Sequence, residues 1–198
     1  MRFAPILLAL ALLASLPAQA AEALLDYVRK PDTSFAWTRA EQREVDGFSA
    51  TRLDLTSQSW RGHVWQHQVL VVRPPQVRNP DIAFLFITGD GDVSKLFNLM
   101  KTLAERAGAV AAAVNKVPNQ PLYDGRKEDA LIAYTFDQFL KTGDREWPLL
   151  FPMTKSAVRA MDAVQAFCGE GGGAKPADRK STRLNSSHSQ QSRMPSSA

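Results

Sequence analysis

Apolar and polar positions change their period several times along the chain, and each change predicts a different element. Thr51–Thr56 alternates polar and apolar side chains, which predicts a half-buried strand. After a turn at Arg61–Gly62, the segment His63–Arg73 contains a run of apolar residues and stops before Pro74, so we predict a second and longer strand. The short turn between them favours an antiparallel hairpin.

A second pattern follows, in which the predicted strands are apolar throughout. Ile82–Ile87 is continuously apolar, as in a strand covered on both faces, and it leads into the loop Thr88–Asp92. Apolar residues then recur at helical spacing up to Gly108, and Ala109–Val114 is another buried strand. This order predicts two parallel strands joined by a right-handed helical crossover.

Two helices and an N-terminal arm complete the predicted elements. Lys127–Thr142 has an apolar band and ends at Gly143, and a further helix follows Pro152 and ends near Phe167. Asp26–Ala40 contains a Lys-Pro-Asp turn and two aromatic residues, which we interpret as an extended arm packed onto the domain.

Hairpin, buried strand, glycine loop, helix and buried strand, in this order, are typical of the start of an α/β-hydrolase. The next element of that fold is the strand that leads to the nucleophile elbow, and this sequence contains no such strand. We therefore expect an α/β fold: a truncated α/β-hydrolase-like three-layer sandwich that lacks the nucleophile-elbow strand and everything after it. We also expect that truncation before the nucleophile-elbow strand exposes Ile82–Ile87 and Val110–Val114, and so lowers the stability of the fold.

Residues 1–20 follow the plan of a secretory signal peptide. Met1-Arg2 is a basic start, Ile6–Leu16 is apolar, and small residues precede a cleavage site before Ala21. A buried N-terminal helix is the alternative. The signal predicts an exported protein, periplasmic or secreted. No later segment reaches the roughly 18 apolar residues that a membrane span requires.

The other end of the sequence differs in composition from the body. Residues 177–198 are rich in serine and poor in apolar residues, which is typical of a disordered tail. Arg179–Ser189 also resembles translated adapter read-through, the interpretation we favour. Residues 21–176 are thus expected to be the N-terminal part of the domain, with 177–198 non-native or disordered.

Charge and cysteine content exclude several classes of function. The net charge of +4 comes from the two ends, because residues 21–176 hold 19 basic and 19 acidic side chains. We therefore expect no nucleic-acid partner. The single cysteine, Cys168, permits neither a disulfide within the chain nor a cysteine zinc cluster, and no cofactor is expected.

Several separate blocks, in the same order, resemble the PhoPQ-activated pathogenicity-related proteins (PqaA type). The blocks are Leu25–Asp32, Leu55–Trp60, Val117–Leu122, Glu128–Tyr134 and Trp147–Asp162. Members of that family look like α/β-hydrolases with an elbow similar to G-A-S-K-R-G-W. The resemblance spans nearly all of the mature sequence and implies a serine-hydrolase-like ancestry.

The catalytic residues of such a hydrolase are expected downstream of this chain. A triad in the order Ser, Asp or Glu, His needs a histidine near its end. His188 lies in the tail, whereas His63 and His67 precede any possible nucleophile. The last two share a strand face and could form a metal pair. No third ligand is evident, so solvated or core-edge histidines are the favoured interpretation, and no metal site is predicted.

One catalytic part is predicted within the chain. The loop after the third strand of the fold contributes a backbone N–H to the oxyanion hole, and Gly89, Asp90 and Gly91 occupy that loop. A plain strand-to-helix turn is the equal alternative. The charges of Asp90 and Asp92 would oppose an oxyanion unless they are turned away.

A second group of candidates follows the last buried strand, at the sheet edge where ligands bind in open α/β folds. We predict a pocket wall formed by Asn119, Gln120, Tyr123, Glu128 and Asp129. For the two acids, stabilisation of a helix start is the strong alternative. The remaining large aromatic residues are expected to pack rather than bind substrate: Trp60, Trp65, Trp147 and Phe151.

The resemblance implies a function only for the parent protein. We expect a fragment of an exported protein whose parent is a serine-hydrolase-like enzyme acting on an ester or amide, in an unknown small-molecule or peptide substrate. The chain itself is expected to be inactive. A secreted binding or signalling protein on the same scaffold is the alternative, and a structural domain with a disordered tail is the third possibility.

Overall fold

The computed structural model describes residues 22–170 of the 198-residue chain. The predicted signal peptide at 1–20 and the tail at 177–198 lie outside the described residues. Residues 22–29 form helix α1. The other elements are β1 Ala36–Val45, β2 Phe48–Trp60, β3 His63–Arg73, β4 Ala83–Ile87, a 3₁₀ helix Val93–Leu96, α2 Phe97–Ala107, β5 Val110–Val114, α3 Glu128–Thr142 and α4 Leu150–Glu170.

The five strands form one mixed sheet in the order β1-β2-β3-β5-β4. Strands β2 and β3 pair as the predicted antiparallel hairpin. Strands β4 and β5 are parallel neighbours, with α2 connecting them, so the predicted β-loop-α-β unit is confirmed. Strand β5 also pairs with β3, in the antiparallel sense, and thereby joins the hairpin to the crossover unit.

Alternation along β2, β3 and β5 divides the core between the two faces of the sheet. One face carries Leu53, Leu55, Val69, Val71, Val110, Ala112 and Val114, and packs against α4. The other carries Ala50, Leu70, Val72, Ala111 and Ala113, and packs against α2. Since helices cover both faces, the apolar runs in β3 and β5 have no solvent side. The three-layer α/β arrangement predicted from the sequence is confirmed.

The predicted extended arm at Asp26–Ala40 is wrong. Residues 22–29 are helical, and the segment then continues into β1, which pairs with β2 along its length. The turn between these strands is Asp46–Gly47, with positive φ at both residues. Asp-Gly flanked by strand residues is the strongest short hairpin signal, because both positions of a type I′ turn require positive φ. The Asp46–Gly47 turn is therefore the sequence signal from which β1 could have been predicted.

The expected exposure of the buried strands is correct for only one of them. Every residue of Val110–Val114 is buried, because β5 lies between two strands and between two helices. Strand β4 is at the edge, where Phe84 is 38% exposed and Ile82, just before the strand, is 58% exposed. Among residues 22–170, β4 pairs with β5 alone.

A third apolar cluster forms at the hairpin end, where α1, α3 and the start of α4 meet. It contains Tyr27, Trp60, Trp65, Leu131 and Leu149, with Trp147 and Phe151 packed against it. The prediction that the large aromatic residues pack is therefore confirmed. Within the described residues, no helix is both long enough and apolar enough to cross a bilayer.

The two helix-ending glycines allow a matched test of packing at the α2–β5 turn. Gly108 and Gly143 both adopt the left-handed conformation, with φ of 58° and 70°. A Cβ at Gly108 would lie 2.6 Å from Nε and 3.1 Å from Cβ of Arg78, whereas a Cβ at Gly143 meets nothing within 4 Å. We expect Gly143→Ala to cost about 1 kcal/mol through backbone strain, and Gly108→Ala to cost about 1–3 kcal/mol more through crowding.

Urea unfolding of both variants measures this difference. The backbone N–H of Arg78 donates to the carbonyl of Gly108, which holds the Cβ of Arg78 close, so only the outer part of its side chain can move away. Equal free energies of unfolding for the two variants would contradict the prediction.

Candidate functional site

The predicted glycine loop follows β4 at the carboxyl end of the parallel strand pair. Its carbonyl oxygens bind the segment after β5: the N–H of Lys116 donates to Gly89 O over 2.8 Å, and Asn115 Nδ2 donates to Gly91 O over 2.6 Å. Gly89 is buried, whereas Asp90 and Gly91 are exposed. Gly91 has a φ of 129°, which a residue with a side chain rarely adopts.

Three of the predicted site residues meet beside this loop. The side chain of Gln120 accepts a hydrogen bond from the backbone N–H of Glu128 over 2.8 Å and donates to the Glu128 carboxylate. Its Nε2 also lies 3.3 Å from Oδ2 of Asp90. Lys127 Nζ lies 3.7 Å from the same oxygen. The two predicted groups, oxyanion loop and pocket wall, are therefore in contact through Gln120.

The other pocket candidates have different roles. Asn119 Nδ2 donates to the carbonyl of Gln66 over 2.8 Å, which ties the loop to β3. The Tyr123 ring lies in the aromatic cluster, 6.1 Å from the Trp60 ring and 5.6 Å from the Trp147 ring, and burial raises its pKa. Asp129 is exposed in the first turn of α3, where the helix dipole favours a carboxylate. Neither Tyr123 nor Asp129 is hydrogen-bonded to Gln120.

A cleft of about 320 Å³ extends from β1 across β2 and β3 to Lys116, and the sequence analysis did not predict it. Lys116, whose N–H binds Gly89 O, forms part of its wall. The polar lining residues come from three neighbouring strands and the segment after β5: Thr38, Asp54, Thr56, Gln66, His67, Gln68 and Lys116. Hydroxyl, amide, carboxylate and ammonium groups together can both donate and accept hydrogen bonds, so the cleft suits a polar ligand.

His67, expected to be solvated or at the core edge, lies instead in a buried hydrogen-bond chain. Its Nδ1 is 3.0 Å from the carbonyl oxygen of Asn115, and its Nε2 is 2.9 Å from Oγ of Ser57. Ser57 Oγ is also 2.9 Å from Oγ of Ser156. Gln58 then links Ser156 to the hydroxyl of Tyr27, over 3.0 and 2.9 Å.

The direction of every hydrogen bond in this network follows from two groups whose roles are fixed, the carbonyl of Asn115 and the amide nitrogen of Gln58. A backbone carbonyl can only accept, so His67 Nδ1 carries the proton and Nε2 accepts from the Ser57 hydroxyl. Gln58 Nε2 can only donate, so Ser156 accepts from Gln58 and donates to Ser57. The Tyr27 hydroxyl donates to Gln58 Oε1. All the partners are satisfied, as buried polar groups require.

The Ser57–His67 pair has the spacing of a serine–histidine dyad but not its setting. Ser57 is fully buried, and His67, although it borders the cleft, is only 3% exposed, so the Ser57 hydroxyl is not accessible to a substrate. Burial lowers the pKa of His67 to about 4, which makes it a weak base. Both of its ring nitrogens are occupied, while His63 packs edge-on against Tyr123, so the two rings do not present a joint metal face.

A β-bulge explains why the pattern did not reveal this network. The pairing of β2 with β3 shifts between Thr56 and Gln58, so Ser57 is the extra residue. The consecutive side chains of Ser57 and Gln58 can then both reach α4, contrary to strict alternation. Ser156 within the buried face of α4 is the available sequence signal, because a polar residue there requires a partner.

The buried histidine predicts a specific loss of stability in acid. The unfolded chain binds a proton at His67 near pH 6.5 and the folded chain only near pH 4, so the unfolded state holds more protons between these values. The free energy of unfolding should therefore decrease by about 3 kcal/mol as the pH drops from 6.5 to 4. This loss of stability should be absent in His67→Gln.

Urea unfolding of both proteins at several pH values isolates this contribution, since the acidic residues titrate alike in the two. Parallel pH profiles for the two proteins would show that His67 does not carry the effect.

Comparison with known proteins places this architecture in a family. The family model for the PhoPQ-activated pathogenicity-related protein matches residues 24–174. The Autocrine proliferation repressor protein A of Dictyostelium discoideum is 37% identical over 177 residues, covering 82% of this chain and 35% of that protein. This chain thus spans about a third of that relative's length.

Two solved esterase structures are similar to this chain. A putative acetyl xylan esterase from Bacteroides fragilis superposes with a TM-score of 0.51 at 14% identity, covering 75% of this chain and 42% of the esterase. An acetyl xylan esterase from a Paenibacillus species gives a TM-score of 0.46 at 12% identity, covering 82% and 48%. The first comparison supports an α/β-hydrolase-like scaffold. With the family model matching most of its length, the chain belongs to the PhoPQ-activated pathogenicity-related protein family.

Proposed function

We propose that this chain supplies the oxyanion-loop side of a serine-hydrolase-like active site that acts on an ester or amide. The supporting observation is the glycine loop at the carboxyl end of the parallel strands β4 and β5. Both of its glycine carbonyls bind the segment after β5. Within the described residues, the N–H groups of Asp90 and Gly91 donate to no acceptor, so they remain available to a developing negative charge.

The charge of Asp90 is compatible with this proposal. A carboxylate beside an oxyanion is unfavourable by itself. Here Gln120 donates a hydrogen bond to Asp90, and the Lys127 ammonium lies 3.7 Å from the same oxygen. These contacts direct the Asp90 carboxylate towards the loop between β5 and α3. They thereby reduce its repulsion of an anion at the backbone N–H groups of Asp90 and Gly91.

The nucleophile, acid and catalytic histidine of the proposed reaction belong to a part of the whole protein beyond these residues. Ser57 and Ser156, the two serines in the hydrogen-bond network of His67, are fully buried. The Dictyostelium relative is about three times as long as the matched region, which leaves room for the missing groups. The chain alone is therefore expected to be inactive.

The polar cleft beside Lys116 favours a substrate with hydrogen-bonding groups. It offers donors and acceptors on both charged and neutral side chains, and Lys116 connects it to the proposed oxyanion loop through its hydrogen bond to Gly89 O. A small molecule or a peptide could supply the matching groups, with its ester or amide carbonyl at Gly91.

The second candidate is a secreted signalling or binding protein on a hydrolase-like scaffold. The name of the Dictyostelium relative, an autocrine proliferation repressor, favours it. The same scaffold can serve either role, since function depends on the site rather than the fold.

Export is part of both proposals. It rests on the basic, apolar and small-residue segments at residues 1–20, which together have the order of a secretory signal.

Reaction with a fluorophosphonate separates the two candidates. An activated serine in the whole protein should be labelled covalently, whereas a binding or signalling protein should not react. The 198-residue chain should remain unlabelled, because the reagent requires an activated serine and Ser57, which is hydrogen-bonded to His67, is buried. Labelling of the isolated chain, or none of the whole protein, would count against the hydrolase proposal.

Substitution of Gly91 tests the loop itself. Gly91→Ala in the whole protein should slow fluorophosphonate labelling by about 100-fold, because an alanine side chain disfavours the φ of 129° that places its N–H. Gly62→Ala is the matched control: Gly62 also has positive φ and open surroundings, but lies in the β2–β3 turn. Equal effects of the two substitutions would remove Gly91 from the proposed site.

N-terminal sequencing tests export. Protein recovered from the periplasm or medium of a bacterial host should begin at Ala21, since small residues precede that position. Recovery only from the cytoplasm, with Met1 retained, would contradict the signal-peptide prediction.

A further inference from the structure

One buried side chain tethers the glycine loop to the sheet. Asn115 is fully buried directly after β5. Its Nδ2 donates to Gly91 O over 2.6 Å and to Gln68 Oε1 over 3.2 Å, while its Oδ1 accepts from the backbone N–H of Gln68 over 2.8 Å. All three contacts use the correct polarity of the amide.

The orientation of this amide is not interchangeable. A flipped Asn115 would place its NH₂ group against the Gln68 N–H and its oxygen against Gly91 O, pairing donor with donor and acceptor with acceptor. The fixed backbone groups of β3 and the loop therefore select a single orientation.

His67 holds the backbone of Asn115 from the other side. The Nδ1–H of His67 donates to Asn115 O over 3.0 Å, and the N–H of Asn115 donates to Gln68 O over 3.1 Å. His67 is itself fixed by Ser57, which bonds to Ser156 of α4. A continuous hydrogen-bonded path thus connects the interior of the α4 face to the carbonyl of Gly91.

Gly91 needs such a tether more than its neighbours do. It is exposed, it has no heavy atom within 4 Å of where a Cβ would stand, and its backbone conformation is open only to glycine. Packing therefore does not restrain it. The hydrogen bond from Asn115 fixes the plane of the peptide after Gly91, and the Lys116 N–H fixes the plane of the peptide after Gly89. The peptide between them, which carries the Gly91 N–H, is thereby held at both ends.

We propose that Asn115 is a positioning residue that holds the glycine loop in one conformation, and that His67 orients Asn115 in turn. The loop geometry is then set by buried polar contacts from β3 and β5 rather than by the loop's own sequence. The catalytic consequence rests on the proposed function, because only a loop that binds an oxyanion needs its N–H groups held in place.

Backbone ¹⁵N relaxation tests the tether without any activity. In the unsubstituted protein the order parameter of Gly91 should be about 0.85, the value of rigid backbone, despite its exposure. In Asn115→Ala it should fall below about 0.6. Asn79→Ala is the matched control, since Asn79 Nδ2 also donates to a backbone carbonyl, that of Ala107, over 2.7 Å at an exposed site. It should leave Gly91 unchanged.

Two results would overturn the proposal: a mobile Gly91 in the unsubstituted protein, or an unchanged Gly91 in a folded Asn115→Ala variant. The first measurement decides the matter even if the variant fails to fold.

Fluorophosphonate labelling of the whole protein tests the consequence separately. Asn115→Ala should slow labelling at least about tenfold, and Asn79→Ala should not. An unsubstituted protein that is never labelled would end the hydrolase proposal, while the relaxation result would still decide whether Asn115 positions the loop. Normal labelling of Asn115→Ala would overturn its positioning role in the site.

Discussion

The complete burial of β5 is the constraint on which the other elements depend. The strand pairs with β3 on one side and β4 on the other, and α2 and α4 cover its two faces. Three consecutive alanines, Ala111–Ala113, fill its centre, and such small side chains let two helices lie close to one strand. Strand β5 joins the antiparallel hairpin to the parallel unit. Its burial therefore also fixes where the loop after β4 and the loop after β5 leave the sheet.

Those loops leave the sheet at the same edge and are joined by polar contacts rather than by apolar packing. Gln120 bridges Glu128 and Asp90, and Asn115 binds Gly91. Polar contacts of this kind have strict geometry, so they specify one arrangement where an apolar contact would permit several. The buried chain through His67 extends the same principle into the core, and there each donor meets an acceptor.

The parts of the fold that were predictable are those that follow from local period and turn chemistry. Strand β3 was predicted with the bounds that the structure has, since Gly62 and Pro74 bracket a strongly apolar run. Helix α3 begins one residue later than predicted and ends at the same threonine. Strand β1 was missed because its alternation is weak: it is an edge strand, almost wholly exposed, and only the Asp46–Gly47 turn signals it.

By itself, the sequence determined the α/β class, the order of the elements, the family resemblance and the position of the glycine loop. Each of these depends on neighbours in sequence: hydrophobic period, turn residues and short blocks of identity. The tertiary structure alone decided which polar residues meet. Ser57, His67 and Ser156 are up to 99 positions apart, and the bulge at Ser57 reverses the face that alternation assigns to Gln58. Such contacts depend on strand register and helix placement, which no local pattern encodes.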